Sequence, residues 1–235
     1  MSDLPRHLAA LGCALAALVG ASQALAEAQI AGVWMMRPEA SPPPEFTPAG
    51  KAAYEANRAA LAASPKTADP TTQCLPMGFP RNMATRFPIQ IVQTPGQVTM
   101  IFQAGIRVRR VFTDGRAPEA DADPAYNGHS LGRWDGQTLV VETRGFKDTW
   151  LDHEGAPHGP DLRAVERIWL SENGRVLFDE ITLVDEEMLA KPWTQRRVYE
   201  RLGDVLISDY ICVEHGKDNP RWVSEDGAAT VHSVR

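Results

Sequence analysis

The chain has 235 residues, with 24 lysines and arginines against 30 aspartates and glutamates, for a formal net charge of -6. That balance argues against a nucleic-acid-binding role, because no basic stripe stands out to neutralise phosphates. The length suits one large domain once an export segment is set aside.

Residues 1–26 read as a signal peptide. Arg6 and His7 lead into the apolar run 8–19, and Ala24-Leu25-Ala26 has the small-x-small pattern that signal peptidase cleaves after. The expected product is residues 27–235, one periplasmic or secreted domain. It has no apolar run of the roughly 18 residues needed to span a bilayer, so no membrane association is expected after cleavage. Two cysteines then remain, Cys74 and Cys212, and in an oxidising compartment they are expected to form a disulfide.

Residues 30–36 read as a first strand carrying Gly32-x-Trp34. The triple proline at 42–44 ends regular pairing, since proline lacks the backbone donor. Thr47-Pro48 then gives the N-cap and first-turn proline of a helix running to about Ala63. Tyr54, Arg58 and Leu61 fall at helical spacing, so the helix is expected to lie on a surface or over an opening. Residues 67–88 are punctuated by proline and glycine and read as a long ordered loop around Cys74.

Strands follow at 89–94 and 97–103, joined by the tight turn Pro95-Gly96. Further strands are expected at 106–113, 138–143, 164–170, 176–184, 195–201 and 207–213, with Asn173-Gly174 marking a hairpin. Nine consecutive strands with mostly short links predict a mainly β fold, an antiparallel meander closed as a barrel, with a short N-terminal helix and long loops. A sandwich is the alternative. The single Trp134-Asp135-Gly136 has no second copy, which argues against a propeller.

Alternation along 106–112 groups Ile106, Val108, Arg110 and Phe112 on one face. If that face is interior, Arg110 needs a partner, and Glu166 on the 164–170 strand is the candidate. His129, ahead of an expected turn, and His153 are candidate bases, since imidazole suits proton transfer near neutral pH. Asp148 or Glu166 would then be the orienting carboxylate or acid. Trp134, Trp150, Trp169, Trp193, Tyr199 and Tyr210 could line an apolar pocket, or simply pack the core. Arg109, Arg110, Arg116, Arg133 and Arg144 would complement a carboxylate or phenolate on a ligand.

His153-x4-His158, with His129 as a third ligand, invites a metal reading. Glu-Gly-Ala-Pro between the first two cannot hold both rings on one helical face, so no metal is expected. No dinucleotide fingerprint or lysine-bearing phosphate loop is present, and no cofactor is expected.

Gly32-x-Trp34 resembles the opening motif of lipocalin-like barrels, whose tryptophan plugs one end. The order C-L-P-M-G-F-P-R, R-R-V-F-T-D-G-R, G-H-S-L-G-R-W-D-G-Q-T-L-V-V-E-T, V-E-R-I-W and Y-I-C-V-E is similar to an uncharacterised family of exported bacterial proteins. The resemblance implies a lipocalin-like barrel and, more remotely, cofactor-free lyases or decarboxylases acting on plant-derived aromatic compounds. It assigns no catalytic residues.

The expectation is therefore a cofactor-independent lyase or isomerase acting on a small aromatic or apolar molecule in the barrel cavity. His129 or His153 would be the base, Asp148 or Glu166 the acid or orienter, and Arg110 or Arg116 the anchor, with Trp134, Trp150, Trp193 and Tyr199 at the substrate. The alternatives are a non-catalytic periplasmic binding protein for the same ligands and an envelope protein-interaction module. The oligomeric state is left open.

Overall fold

A computed structural model describes residues 27–104, 107–210 and 212. The expected signal peptide, Ile106 and most of the far end of the 207–213 strand lie outside these residues. Nine strands form one closed barrel in sequential order. They are β1 (Gly32–Arg37), β2 (Ile89–Thr94), β3 (Gln97–Phe102), β4 (Arg107–Phe112), β5 (His129–Asp135), β6 (Thr138–Arg144), β7 (Arg163–Leu170), β8 (Val176–Val184) and β9 (Trp193–Leu202).

The mainly β barrel matches expectation, but it is not wholly antiparallel. β4 and β5 run parallel, through Val111 opposite Ser130 and Phe112 opposite Leu131. The reason is parity: directions can alternate all the way round a closed ring only if the strand count is even. Nine strands leave one like-directed pair, and the long connection 113–128 supplies the crossover that such a pair requires.

Two strand assignments differ from the sequence reading. β5 occupies what was read as a loop, because Gly128 and Gly132 weaken its strand signature. Gly132 faces inward, where a Cβ would come 2.7 Å from Val111 Cγ1. Residues 207–210 form no strand, and β9 closes the ring against β1 from Val33 opposite Leu202 to Arg37 opposite Val198.

Strand alternation builds the core. Trp34, Ile91, Met100, Val111, Val141, Ile168, Ile181 and Tyr199 all point inward and are buried. Trp34 donates from Nε1 to the Ile30 carbonyl at 3.0 Å, and the Arg201 guanidinium covers its ring at 4.2 Å. This stacking explains Gly32: with φ at +145°, any Cβ there would overlap an Arg201 nitrogen.

The long loop fills the barrel. Cys74 is bonded to Cys212, with Cα atoms 5.7 Å apart, and the chain beyond Cys74 turns inward. Phe79 and Met83 are buried, Tyr199 donates to the Met83 carbonyl at 2.7 Å, and Phe79 N–H donates to Tyr126 O at 2.9 Å. What remains between Met83, Trp34, Met100 and Tyr199 is a cavity of about 10 Å³, room for about one water molecule. The ligand cavity expected inside the barrel is therefore occupied by the protein's own loop.

The helix α1 (Pro48–Ala63) is capped by Thr47, whose hydroxyl accepts from Gly50 N–H at 3.1 Å. It lies outside the barrel on residues 154–155 and 187–189. Asn57 donates to Gly155 O at 2.9 Å, Arg58 pairs with Glu154, and a Cβ at Gly50 would overlap the Met188 carbonyl. Among the described residues no helix is long and apolar enough to cross a membrane.

Candidate functional site

Two polar constellations stand out, one inside the wall and one outside it. Inside, the guanidinium belongs to Arg109 and not to Arg110. Arg109 and Val111 take the inward parity of β4, while Arg110 is exposed. Arg109 Nη1 donates to Glu166 Oε1 at 2.8 Å and its Nη2 bonds Glu166 Oε2. Nη2 also reaches Thr143 Oγ1 at 2.9 Å, and Nε reaches Ser130 Oγ at 3.1 Å. The Phe79 ring lies 4.0 Å from the guanidinium carbon. A buried cation is tolerable only when so fully matched, and the match spans four neighbouring strands, β4 to β7.

A second buried carboxyl, Asp179 on β8, lies at the small cavity. Neither of its oxygens has a hydrogen-bond partner among the described residues. Burial pushes its pKa well above the usual carboxylate range, and the nearby Glu166 charge adds to this against the opposing pull of Arg197 and Arg109. Burial likewise raises the Tyr199 phenol.

The residues expected to transfer protons do not converge. His153 belongs to a clamp on the long loop: Arg81, itself buried, pairs with Asp69 and donates from Nε to His153 Nδ1 at 3.2 Å. Burial and then the adjacent Arg81 charge lower the His153 pKa, and a hydrogen bond with the Ala84 backbone only partly opposes them. Burial also works against the Asp69 carboxylate, but bonds from Arg81 and Thr71 outweigh it and hold its pKa low. His158 is buried, with Nε2 accepting from Thr149 N–H at 3.3 Å and Nδ1 bonded to Gly159 O at 2.7 Å. Asp148 is exposed, and Glu166 is committed to Arg109. No cluster of three or more histidine, cysteine, aspartate or glutamate residues suited to a metal occurs among the described residues.

Nor do the aromatics share one pocket. Trp134 packs on the core, Trp150 lies under Arg81 with its ring centre 5.5 Å from the guanidinium carbon, and Trp193 donates to Pro42 O at 2.7 Å. Tyr199 holds Met83, as described above.

Outside, a groove of about 1140 Å³ runs over β4 to β7, bounded by the crossover 113–128. It brings together Arg110, Arg116 and His129 from the expected set. Val108, Phe112, Leu131, Val140 and Val165 give it an apolar floor, and seven arginines line it against only Glu119 and Glu142. Four of the seven have carboxylate partners: Arg109 with Glu166, Arg116 with Asp114, and both Arg144 and Arg163 with Glu142. The side chains of the other three, Arg107, Arg110 and Arg133, make no ion pair among the described residues. His129 Nε2 sits at the rim, 2.8 Å from Asp123 O.

Asp179 was missed as a site residue, and Arg109 was expected at a ligand and not as the inward partner of Glu166. The signal available was parity: each shares its strand face with aliphatic neighbours, Val111 in one case and Leu177 and Ile181 in the other. Comparison with protein families and with curated proteins returned no match for the chain.

Proposed function

We propose that this is an exported, lipocalin-like protein that binds a small amphipathic anion, an aromatic or aliphatic acid, in the groove over β4 to β7. The observation that carries this reading is that two exposed arginines of β4 and β5, Arg110 and Arg133, make no ion pair among the described residues and lie beside an apolar floor. Such a surface offers a planar, bidentate partner for a carboxylate and a dry face for a hydrocarbon body. The buried Trp34 behind Gly32 supports the lipocalin-like element, and the Cys74–Cys212 disulfide fits an oxidising compartment.

Isothermal titration with cinnamate and cinnamyl alcohol tests it. The acid is expected to bind at least about tenfold more tightly than the alcohol, and Arg110→Gln with Arg133→Gln to remove most of that preference, since a charge-assisted bond contributes about 1.5 to 3 kcal/mol. Equal affinity for acid and alcohol, or an unchanged preference in the double variant, sinks the proposal.

His129 at the rim favours a second reading, the cofactor-free lyase or isomerase. It requires turnover of a bound acid that disappears in His129→Ala while binding persists.

A further inference from the structure

The loop that fills the barrel is held at its start by the Cys74–Cys212 bridge and at its far end by the 3₁₀ turn Arg81–Ala84. That turn is fastened by ties of different chemistry. Met83 O accepts from the Tyr199 hydroxyl at 2.7 Å, and Asn82 Nδ2 donates to Asn127 Oδ1 at 2.8 Å. Neither tie titrates between pH 5 and 7, since asparagine does not ionise and burial moves the Tyr199 phenol further into the alkaline range. Arg81 is bound on two sides, by the Asp69 carboxylate and by His153, whose Nδ1 accepts from Arg81 Nε at 3.2 Å.

A ring nitrogen that accepts from a guanidinium carries no proton, so the neutral imidazole holds its hydrogen on Nε2 and gives it to the Ala84 carbonyl. His153 thereby spans the turn, accepting from its first residue and donating to its last. Protonation removes the acceptor and sets one cation against another. The charged groups around the ring are Arg81 and Asp69, Asp152 beside it in the chain, and the Glu154–Arg58 pair that joins its loop to α1. Asp152 is already engaged, accepting from Glu154 N–H and Ala156 N–H at 2.9 Å each. Burial and then the Arg81 charge lower the ring's pKa against the opposing pulls of Ala84, Asp69 and Asp152, which leaves it neutral at pH 7. The residue keeps exposed surface, so a proton reaches it while the turn is still in place. Asp69, held below the usual carboxylate range despite partial burial by its bonds from Arg81 and Thr71, stays charged through the same interval.

We propose that His153 is an acid-released latch on the loop that fills the barrel. Neutral, it fastens the turn Arg81–Ala84; protonated, it lets the turn loosen and uncovers the interior at Asp179 and Tyr199, which share the small cavity with Met83. Because the folded state disfavours the proton, the stabilisation is complete above the unfolded imidazole pKa of about 6.5 and is lost as pH falls below it.

The test is carried out on the full chain between pH 7 and pH 5. The His153 ring is titrated by NMR, and hydrogen exchange, corrected for its intrinsic pH dependence, is followed at the Phe79, Asn82 and Met83 amides, which donate to Tyr126 O, Gly78 O and Pro80 O. Protection of these amides is expected to fall at least about threefold with the same midpoint as the ring, while β6 to β8 change little. In His153→Gln, whose amide offers an acceptor and a donor at every pH, protection should stay level. A ring that titrates at or above about pH 6.5, unchanged protection, or an equal loss in His153→Gln overturns the proposal. The two midpoints are compared in the unaltered protein, so a variant that fails to fold leaves the test decisive.

Discussion

Asp179 sits at the inward parity of β8 between Leu177 and Ile181, and its charged and polar neighbours come from three other strands: Glu166 on β7, Arg109 on β4, and Arg197 and Tyr199 on β9. Because its folded-state pKa is raised, the folded protein holds a proton that the unfolded chain releases above its ordinary carboxylate pKa. Stability is then lost as pH rises. Asp69, Asp114 and Glu142 have lowered values and act in the opposite sense, favouring the fold above the unfolded carboxylate pKa and losing that contribution as acid is added. Asp179→Asn should therefore gain on the native protein as pH increases above about 4, by up to about 1.4 kcal/mol per pH unit. Urea unfolding across this range checks it, and parallel profiles for the two proteins would refute it. Arg109 shows the same selection differently. Its neighbour Arg110 carries the same charge, but only position 109 meets Ser130, Thr143 and Glu166 at once, so only there is burial of a guanidinium tolerated.

The segment from Cys74 to the 3₁₀ turn Arg81–Ala84 acts as a plug. Phe79 packs on Arg109, Met83 is held by Tyr199, Arg81 is tied to Asp69 and His153, and Asn82 Nδ2 donates to Asn127 Oδ1 at 2.8 Å. The disulfide spans a sequence separation of 138 residues and holds the start of the segment to the chain that follows β9. Cys74→Ser with Cys212→Ser is expected to reduce unfolding free energy by about 2 to 5 kcal/mol. Hydrogen exchange should accelerate in residues 75–84 more than in β6 to β8, which are braced by long ladders on both sides. Uniform acceleration over the whole barrel would mean that the bridge stabilises the fold globally and not through the plug.

Across the whole molecule, charge is segregated: a chain of net charge -6 presents a groove dominated by arginine. The proposed attraction of an anion into the groove would be long-range and open to solvent, and therefore screened by salt. Raising sodium chloride from about 0.05 to about 0.5 M, which shortens the Debye length severalfold, should weaken cinnamate binding by several-fold. Cinnamyl alcohol should change little under the same titration. An acid affinity indifferent to salt would place its recognition in apolar contact alone. The barrel itself contributes shape more than capacity, since its interior is closed by its own loop and the groove lies on its flank.

Much of this architecture was legible in the residues. Eight of the nine strands follow from runs of alternating or β-branched residues, the hairpins from Pro95-Gly96 and Asn173-Gly174, and the helix from Thr47-Pro48. These are local signals: turn geometry, proline's missing donor and side-chain period act over a few residues, wherever the chain ends up. The cysteine pairing was also readable, by count. Which face of β4 turns inward was not, because R-V-R-R-V-F is mixed in both parities and the deciding partners lie 21, 34 and 57 residues away. β5 was hidden by its glycines, whose purpose appears only when Val111 packs over Gly132. The parallel β4–β5 pair follows from closure of an odd-numbered ring, a property of the assembled sheet. The plugging of the interior and the convergence of Arg110, Arg116, Arg133 and His129 on one groove are likewise tertiary, since long-range packing alone decides which distant segments share a space.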